Sequence, residues 1–164
     1  MADVRLRAMT RDDLDAVNAI YNHYVLHSTC TYQLDPETPA ARSAWFEEHG
    51  PAHPLLVAER GGAVVGWGSL SPYNPRGGYA RTVENSVYIA HDARRQGIGT
   101  LMLGELIALA RTHGHHLIVA GIDAAQDASV ALHTRFGFTH AGRLPEAGYK
   151  FERWLDVIYM QLRP

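Results

Sequence analysis

One cysteine, Cys30, stands in 164 residues, so no intramolecular disulfide can staple the chain and a reducing compartment is the expected setting. An excess of basic charge is missing too. The formal net charge is −2, without the Lys and Arg surplus that a general nucleic-acid binder needs. No apolar run approaches the length of a membrane span, and Met1-Ala2-Asp3-Val4-Arg5 leads into alternating sequence without the apolar core of a signal peptide. A cytoplasmic protein is therefore expected. The absence of a Gly-x-Ser-x-Gly elbow excludes a serine hydrolase of that kind. The absence of Gly-Lys-Ser/Thr excludes an ATP-type phosphate loop. Ten histidines include His113-Gly114-His115-His116, but the glycine breaks the helix and no cysteine or acidic partner follows at ligand spacing, so no metal is expected. Cys30 reads as a small buried hydrophobe.

What is present is ordinary for a soluble protein: 46% apolar and 20% charged residues, in a chain long enough for one domain over residues 1–164. Val4, Leu6 and Ala8 alternate with Arg5 and Arg7 as in a short strand, and Thr10 to Asp13 offers a capping-box helix start. Leu14, Val17, Ile20, Tyr21, Tyr24 and Val25 follow at helical spacing, with an end near His27-Ser28. Thr38-Pro39 opens a second helix anchored by Trp45 and Phe46. Two apolar runs around Arg60-Gly61-Gly62 predict a hairpin, Ser71 to Gly78 a loop, and Tyr79 to Ile89 a long central strand. A helix from Gly97 to about Thr112 is apolar nearly all round. Short strands at Leu117–Ala120 and Phe138–Ala141 flank a helix over about Ala128–Arg135. Gly142 to Gly148 reads as a loop before a last strand at Trp154–Leu162. The order β-α-α-β-β-β-α-β-α-β-β predicts an α/β fold: a mixed, mainly antiparallel twisted sheet with helices on both faces.

The informative stretch is Thr82 to Ile89 followed by Arg94-Arg95-Gln96-Gly97-Ile98-Gly99-Thr100. A strand, a glycine-softened turn with basic side chains, and a helix N-terminus make a cradle for paired phosphates, because backbone N–H groups and the helix dipole both favour an anion there. The dinucleotide fingerprint needs a third glycine where Met102 stands, so that alternative fails. Glu84 lies upstream on the same strand. It is either a structural acid pairing with Arg76 or Arg81, or a base beside whatever the cradle holds.

Arg94-x-x-Gly97-x-Gly99 after a strand, followed by Leu132-His133-x-x-Phe136-Gly137-Phe138, resembles the acetyl-CoA signature of the GNAT superfamily of N-acetyltransferases. Three further blocks are Asn22-His23-Tyr24 with Ser28-Thr29, Thr82 to Tyr88, and Gly148-Tyr149-Lys150-x-x-x-Trp154-x-Asp156-Val157. They are similar to its phosphinothricin and methionine-sulfoximine acetyltransferase group. The resemblance spans nearly the whole chain and implies acetyl-CoA as cosubstrate. It implies that Val87, Tyr88 and Ile89 pair with the pantetheine arm, and that Arg94, Arg95, Gln96, Gly97, Ile98, Gly99 and Thr100 hold the pyrophosphate. Gln126, where the family usually has asparagine, and Ser129 are placed at the cofactor as well. Glu84 falls at the base position, and His133 where many members place a tyrosine that protonates the departing thiolate and the phosphinothricin group has histidine; it is either that acid, a cofactor contact, or a helix-face histidine packed on the core. Substrate selection is expected from Arg76, Gly78, Tyr79, Arg81 and Lys150, with Tyr32 and Trp67 as walls. The bland alternatives are solvated charges and core aromatics. The implied acceptor is the α-amine of a small amino acid such as phosphinothricin, methionine sulfoximine or methionine sulfone. Other acceptors left open are a protein N-terminus or a polyamine, and the alternative class is a non-catalytic acyl-CoA sensor. A homodimer is the family expectation.

Overall fold

The computed structural model describes residues 3–164, so the part of the signal-peptide reading that falls on Met1 and Ala2 lies outside the described residues. The chain forms β1 (Val4–Ala8), α1 (Leu14–His27), α2 (Pro39–Glu47), β2 (Leu55–Arg60), β3 (Ala63–Pro72), β4 (Thr82–Ile89), α3 (Ile98–Thr112), β5 (Leu117–Asp123), α4 (Asp127–Arg135), β6 (Thr139–Lys150) and β7 (Arg153–Leu162). That is the order expected from sequence. The helix starts follow their caps. Thr10 N–H donates to Asp13 Oδ2 at 2.7 Å in the predicted capping box. The Thr38 hydroxyl accepts from Ala41 N–H ahead of Pro39.

The sheet order is β1-β2-β3-β4-β5-β7-β6, with β4 fourth of seven strands. All neighbours are antiparallel except β4 and β5. Strand alternation sends Val83, Val87 and Ile89 to the face packed by Met102, Leu103 and Leu106 of α3, by Leu132 of α4 and by Phe136 just after it. Tyr88 goes to the other face, where α1 and α2 pack Val17, Ile20, Tyr24 and Trp45 around Trp67.

Three boundaries differ from expectation, each for a physical reason. Tyr79 belongs to a 3-10 turn at Gly77–Tyr79, and β4 begins at Thr82. β5 runs past the apolar stretch to Asp123, because its far edge stays paired with β7 from Ile118 to Asp123. Gly142 to Gly148 is part of β6 rather than a loop. Its register slips against β7 between Leu144 and Gly148, and Glu146 has a φ of 54°. An edge strand tolerates such a bulge and the proline within it.

Candidate active site

β4 and β5 pair only over Thr82–Glu84 and Leu117–Val119. Beyond that point each keeps its outer neighbour and the two diverge, so the backbone of residues 85–89 faces that of residues 120–123 across a gap. The gap is a cleft of about 530 Å³ lined by Glu84 to Ile89, Ala120 to Asp123, the turn before α3, and α4 residues including Ser129, Leu132 and His133. Its width opens an unpaired strand edge to an extended ligand. Tyr24 on α1 already donates its hydroxyl to Ile89 O.

The turn closes one end of the cleft. Gly97, the N-cap of α3, has a φ of 80°, and Arg95 has a φ of 60°. These left-handed residues curl the chain so that successive N–H groups converge. The first bond of the α3 ladder is Leu101 N–H to Gly97 O at 3.1 Å, so the N–H groups of Ile98, Gly99 and Thr100 precede the ladder with no helical acceptor. Together with the dipole they form an anion site. Arg94, Arg95, Gly97, Ile98, Gly99 and Thr100 all line the cleft. Gln96 does not line it: its side-chain oxygen is held by Arg60. The turn thus fits a pyrophosphate, and the cleft fits an extended arm leading from it.

A second cleft of about 470 Å³ adjoins the first, lined by Cys30, Thr31, Tyr32, Tyr73, Asn74, Glu84, Gly121, Asp123, Val157 and Tyr159. Glu84 lines both, so it stands where the two spaces meet. A Cβ on Gly121 would lie 3.5 Å from Glu84 Oε1, which places the carboxylate directly over the glycine of β5. Among the described residues Glu84 has no ion pair, so the alternative pairing with Arg76 or Arg81 is absent. Burial pushes its pKa above the usual carboxylate range.

On the opposite face of β4, His133 is 5% exposed. Its Nδ1 lies 2.8 Å from Ser129 O and its Nε2 3.0 Å from Asn85 Nδ2. A carbonyl oxygen only accepts, so the proton sits on Nδ1. Burial pushes the imidazole pKa down and so favours the neutral ring, in which Nε2 accepts from the Asn85 amide. In this arrangement no ring proton points into the cleft, so of the roles left open for His133 the geometry favours a contact over the thiolate acid.

Other expected residues fall in varied places. Val87, Tyr88, Ile89, Gln126 and Ser129 line the larger cleft, Gln126 also donating to Thr29 Oγ1 at 3.2 Å. Tyr32 lines the second cleft, with its hydroxyl donating at 2.8 Å to Asp123 Oδ1. Arg76, Gly78, Tyr79 and Arg81 are exposed and line neither cleft, which corrects the expectation that they select the substrate by direct contact there. The residues that do line it from that side are Tyr73 and Asn74; the Tyr79 ring meets the Tyr73 ring edge-on at 5.5 Å. Lys150 is corrected as well. Its ammonium is buried and donates to Ser28 O at 2.7 Å and Thr31 O at 2.8 Å, so it pins the loop that carries Thr29 and Cys30 instead of meeting a ligand. Trp67 is core, in a triple-ring setting over which the Arg42 guanidinium lies.

Sequence reasoning missed Asp123, whose carboxylate accepts from Thr29 Oγ1 at 2.6 Å and from Tyr32. Alternation from Val119 through Gly121 would have put it on the Glu84 face, had β5 been extended that far. Gly148 is explained too: a Cβ there would lie 2.5 Å from the Tyr32 ring. Gly148→Ala is therefore expected to displace Tyr32, costing about 1–3 kcal/mol of stability and raising the acceptor KM while the coenzyme KM stays unchanged. Thermal unfolding and paired KM measurements check this.

Comparison with known proteins gives a consistent result. The model of the acetyltransferase (GNAT) family matches residues 17–138. An L-methionine sulfoximine/L-methionine sulfone acetyltransferase of Pseudomonas paraeruginosa is 41% identical over 152 residues, covering 92% of this chain and 88% of that one. A GNAT superfamily phosphinothricin acetyltransferase from Sinorhizobium meliloti, solved in complex with AcCoA, superposes with a TM-score of 0.95 at 34% identity, over 99% of this chain and 89% of that one. A ribosomal-protein-alanine N-acetyltransferase from Brucella melitensis superposes with a TM-score of 0.95 at 41% identity, over 98% and 99% of the two chains.

Proposed function

Because the chain belongs to the GNAT family of acetyltransferases, we propose that it moves an acetyl group from acetyl-CoA to the α-amine of a small amino acid, with methionine sulfone and methionine sulfoximine as preferred acceptors. The observation that carries this reading is the position of Glu84 at the junction of the two clefts. The N–H groups at the start of α3, with Arg94 and Arg95, would hold the coenzyme's phosphates, and the open edge of β4 its arm. When bound, acetyl-CoA would supply an activated acyl carbon and a sulfur leaving group, which ends with the second proton that the nitrogen sheds as it becomes an amide. An amine arrives as an ammonium and must lose a proton before its lone pair can react. Glu84 takes that proton, and its raised pKa makes it a stronger base than an exposed carboxylate. The protein's remaining contribution is to hold two reactants side by side.

The second cleft presents the carboxylates of Glu84 and Asp123, Asn74 and tyrosine side chains, and no Lys or Arg among its lining residues. It suits an ammonium with an uncharged polar side chain, so a sulfone is expected to exceed an anionic phosphinate in kcat/KM. A panel of amines, read by release of free CoA, tests the reading; it includes phosphinothricin, a polyamine and a peptide with an N-terminal alanine. Preference for that peptide is the second reading, favoured by the Brucella melitensis structure. The kcat/KM profile is expected to rise with pH through a pKa above the ordinary carboxylate range, because protonated Glu84 cannot accept the ammonium proton. A profile flat down to that ordinary range, with chemistry rate-limiting, contradicts Glu84 as base.

In the same proposal the protein works in the cytoplasm as a homodimer. Leu144, Tyr149, Phe151 and Trp154 are exposed along the β6–β7 edge and offer an apolar face to a second copy. Sedimentation at micromolar concentration reads this directly, a monomer counting against it.

A further inference from the structure

The fold does not ask for glycine at position 121. Gly121 sits in the middle of β5 opposite Tyr159 of β7, in a register that runs unbroken from Ile118 to Asp123, so no bulge calls for it. Its backbone lies outside the left-handed region that favours glycine. A Cβ there would stand 3.5 Å from Glu84 Oε1, 3.5 Å from Tyr159 Cε1 and 3.9 Å from Val157 Cγ2, all ordinary van der Waals separations. Backbone and packing both accept a side chain, and glycine inside a strand is less stable than alanine. What remains of the usual reasons for a strand glycine is a ligand that approaches the backbone closely.

The surroundings show where that ligand would come. Alternation puts Val119, Gly121 and Asp123 on the Glu84 face of the sheet. Val119 and Asp123 are buried, and Gly121 between them is exposed. Four residues line both clefts: Cys30, Glu84, Gly121 and Asp123. Of these four, Gly121 is the exposed one and the one without a side chain. The Glu84 carboxylate stands on one side of it, and the Tyr159 ring, a wall of the second cleft, on the other.

We propose that Gly121 is a specificity-determining residue: its bare backbone holds open the passage between the two clefts, through which the acceptor nitrogen meets the acyl carbon beside Glu84. This rests on the proposed function, in which one cleft takes the coenzyme and the other the acceptor. Transfer forms a nitrogen–carbon bond and breaks the carbon–sulfur bond, so the two reactants must touch across the junction. Of the three ammonium protons, one goes to Glu84, one ends on the sulfur and one stays on the amide. A methyl group on residue 121 would stand in contact distance of Glu84 Oε1, in the space the nitrogen has to cross.

The test uses Gly121→Ala and Gly121→Val, with three readouts. The kcat/KM for methionine sulfone, read by release of free CoA, is expected to fall about tenfold in the alanine variant and further in the valine variant, the scale of one or more extra methyl groups in a fitted site. CoA affinity, measured by calorimetry, is expected to stay at the wild-type value, because the phosphates are held at the turn before α3 and the arm along β4. The thermal midpoint of the alanine variant is expected to hold or rise, since alanine restricts the unfolded chain and meets no clash in the folded one. Wild-type kcat/KM in either variant overturns the inference. So does a loss of CoA affinity that matches the loss of kcat/KM, which marks a wall of the coenzyme cleft. A lowered midpoint in the alanine variant also overturns it, marking a glycine that the fold needs. A wild type that releases no CoA with any amine of the panel refutes the proposed function itself.

Discussion

Glu84→Gln is expected to lower turnover by about 10²–10⁴, the range for loss of a general base, while CoA affinity stays at its wild-type value. The amide keeps the size and the neutral hydrogen-bonding character of the side chain over Gly121 but cannot take a proton from an ammonium. The same substitution is expected to raise stability at neutral pH. Burial lifts the folded-state pKa of Glu84, so the fold favours its neutral form. That contribution is fully present below the unfolded-state pKa and is lost as pH rises through the folded value. A permanently neutral glutamine does not lose it. Thermal unfolding at pH 7 should therefore favour the variant, and the advantage should vanish in acid. An inactive variant with unchanged stability would point to disrupted geometry; a fully active one removes Glu84 from the chemistry.

Gly97→Asp is expected to reduce CoA affinity by about a hundredfold or more. Two effects act together. A side chain at a φ of 80° is strained, about 1–2 kcal/mol for an L-residue in that region. The introduced carboxylate also stands at the N-cap of α3, where it can take the N–H groups of the first turn for itself and repel a phosphate. Gly97→Ala separates the two, because nothing lies within 4 Å of a Cβ there and only the strain remains. Calorimetry with CoA should rank wild type above the alanine variant and that well above the aspartate variant. Equal affinities would mean that the turn before α3 holds no phosphate.

The turn and its neighbouring strand were legible because they are local. Glycine spacing, paired arginines and the onset of an apolar helix all fall within residues 94–112 of the chain, and period changes and caps likewise mark the element order. What stayed hidden depends on contacts between distant segments. The Asn85–His133 pair spans 48 residues, Thr29–Asp123 spans 94 and Tyr32–Asp123 spans 91. No spacing rule brings such groups together; only the sheet order does. Arg76, Arg81 and Lys150 misled for a related reason. A cation near the correct element is a candidate by composition, yet Lys150 spends its hydrogen bonds on the Ser28 and Thr31 carbonyls, and the two arginines stay exposed. The β6 segment from Gly142 to Gly148 has loop composition but lies at an edge, where Asp156 accepts from the Glu146 N–H at 2.8 Å and stabilises the bulge.

The central claim is that one cleft takes the coenzyme, the other the acceptor, and that Glu84 joins them. A crystal structure of the protein with CoA and methionine sulfone bound together tests it most directly. The account predicts phosphates on the N–H groups of residues 98–100 and the substrate nitrogen within about 3 Å of Glu84, directly or through one water. Phosphates bound elsewhere, or an amine remote from Glu84 on the far side of the sheet, would contradict it.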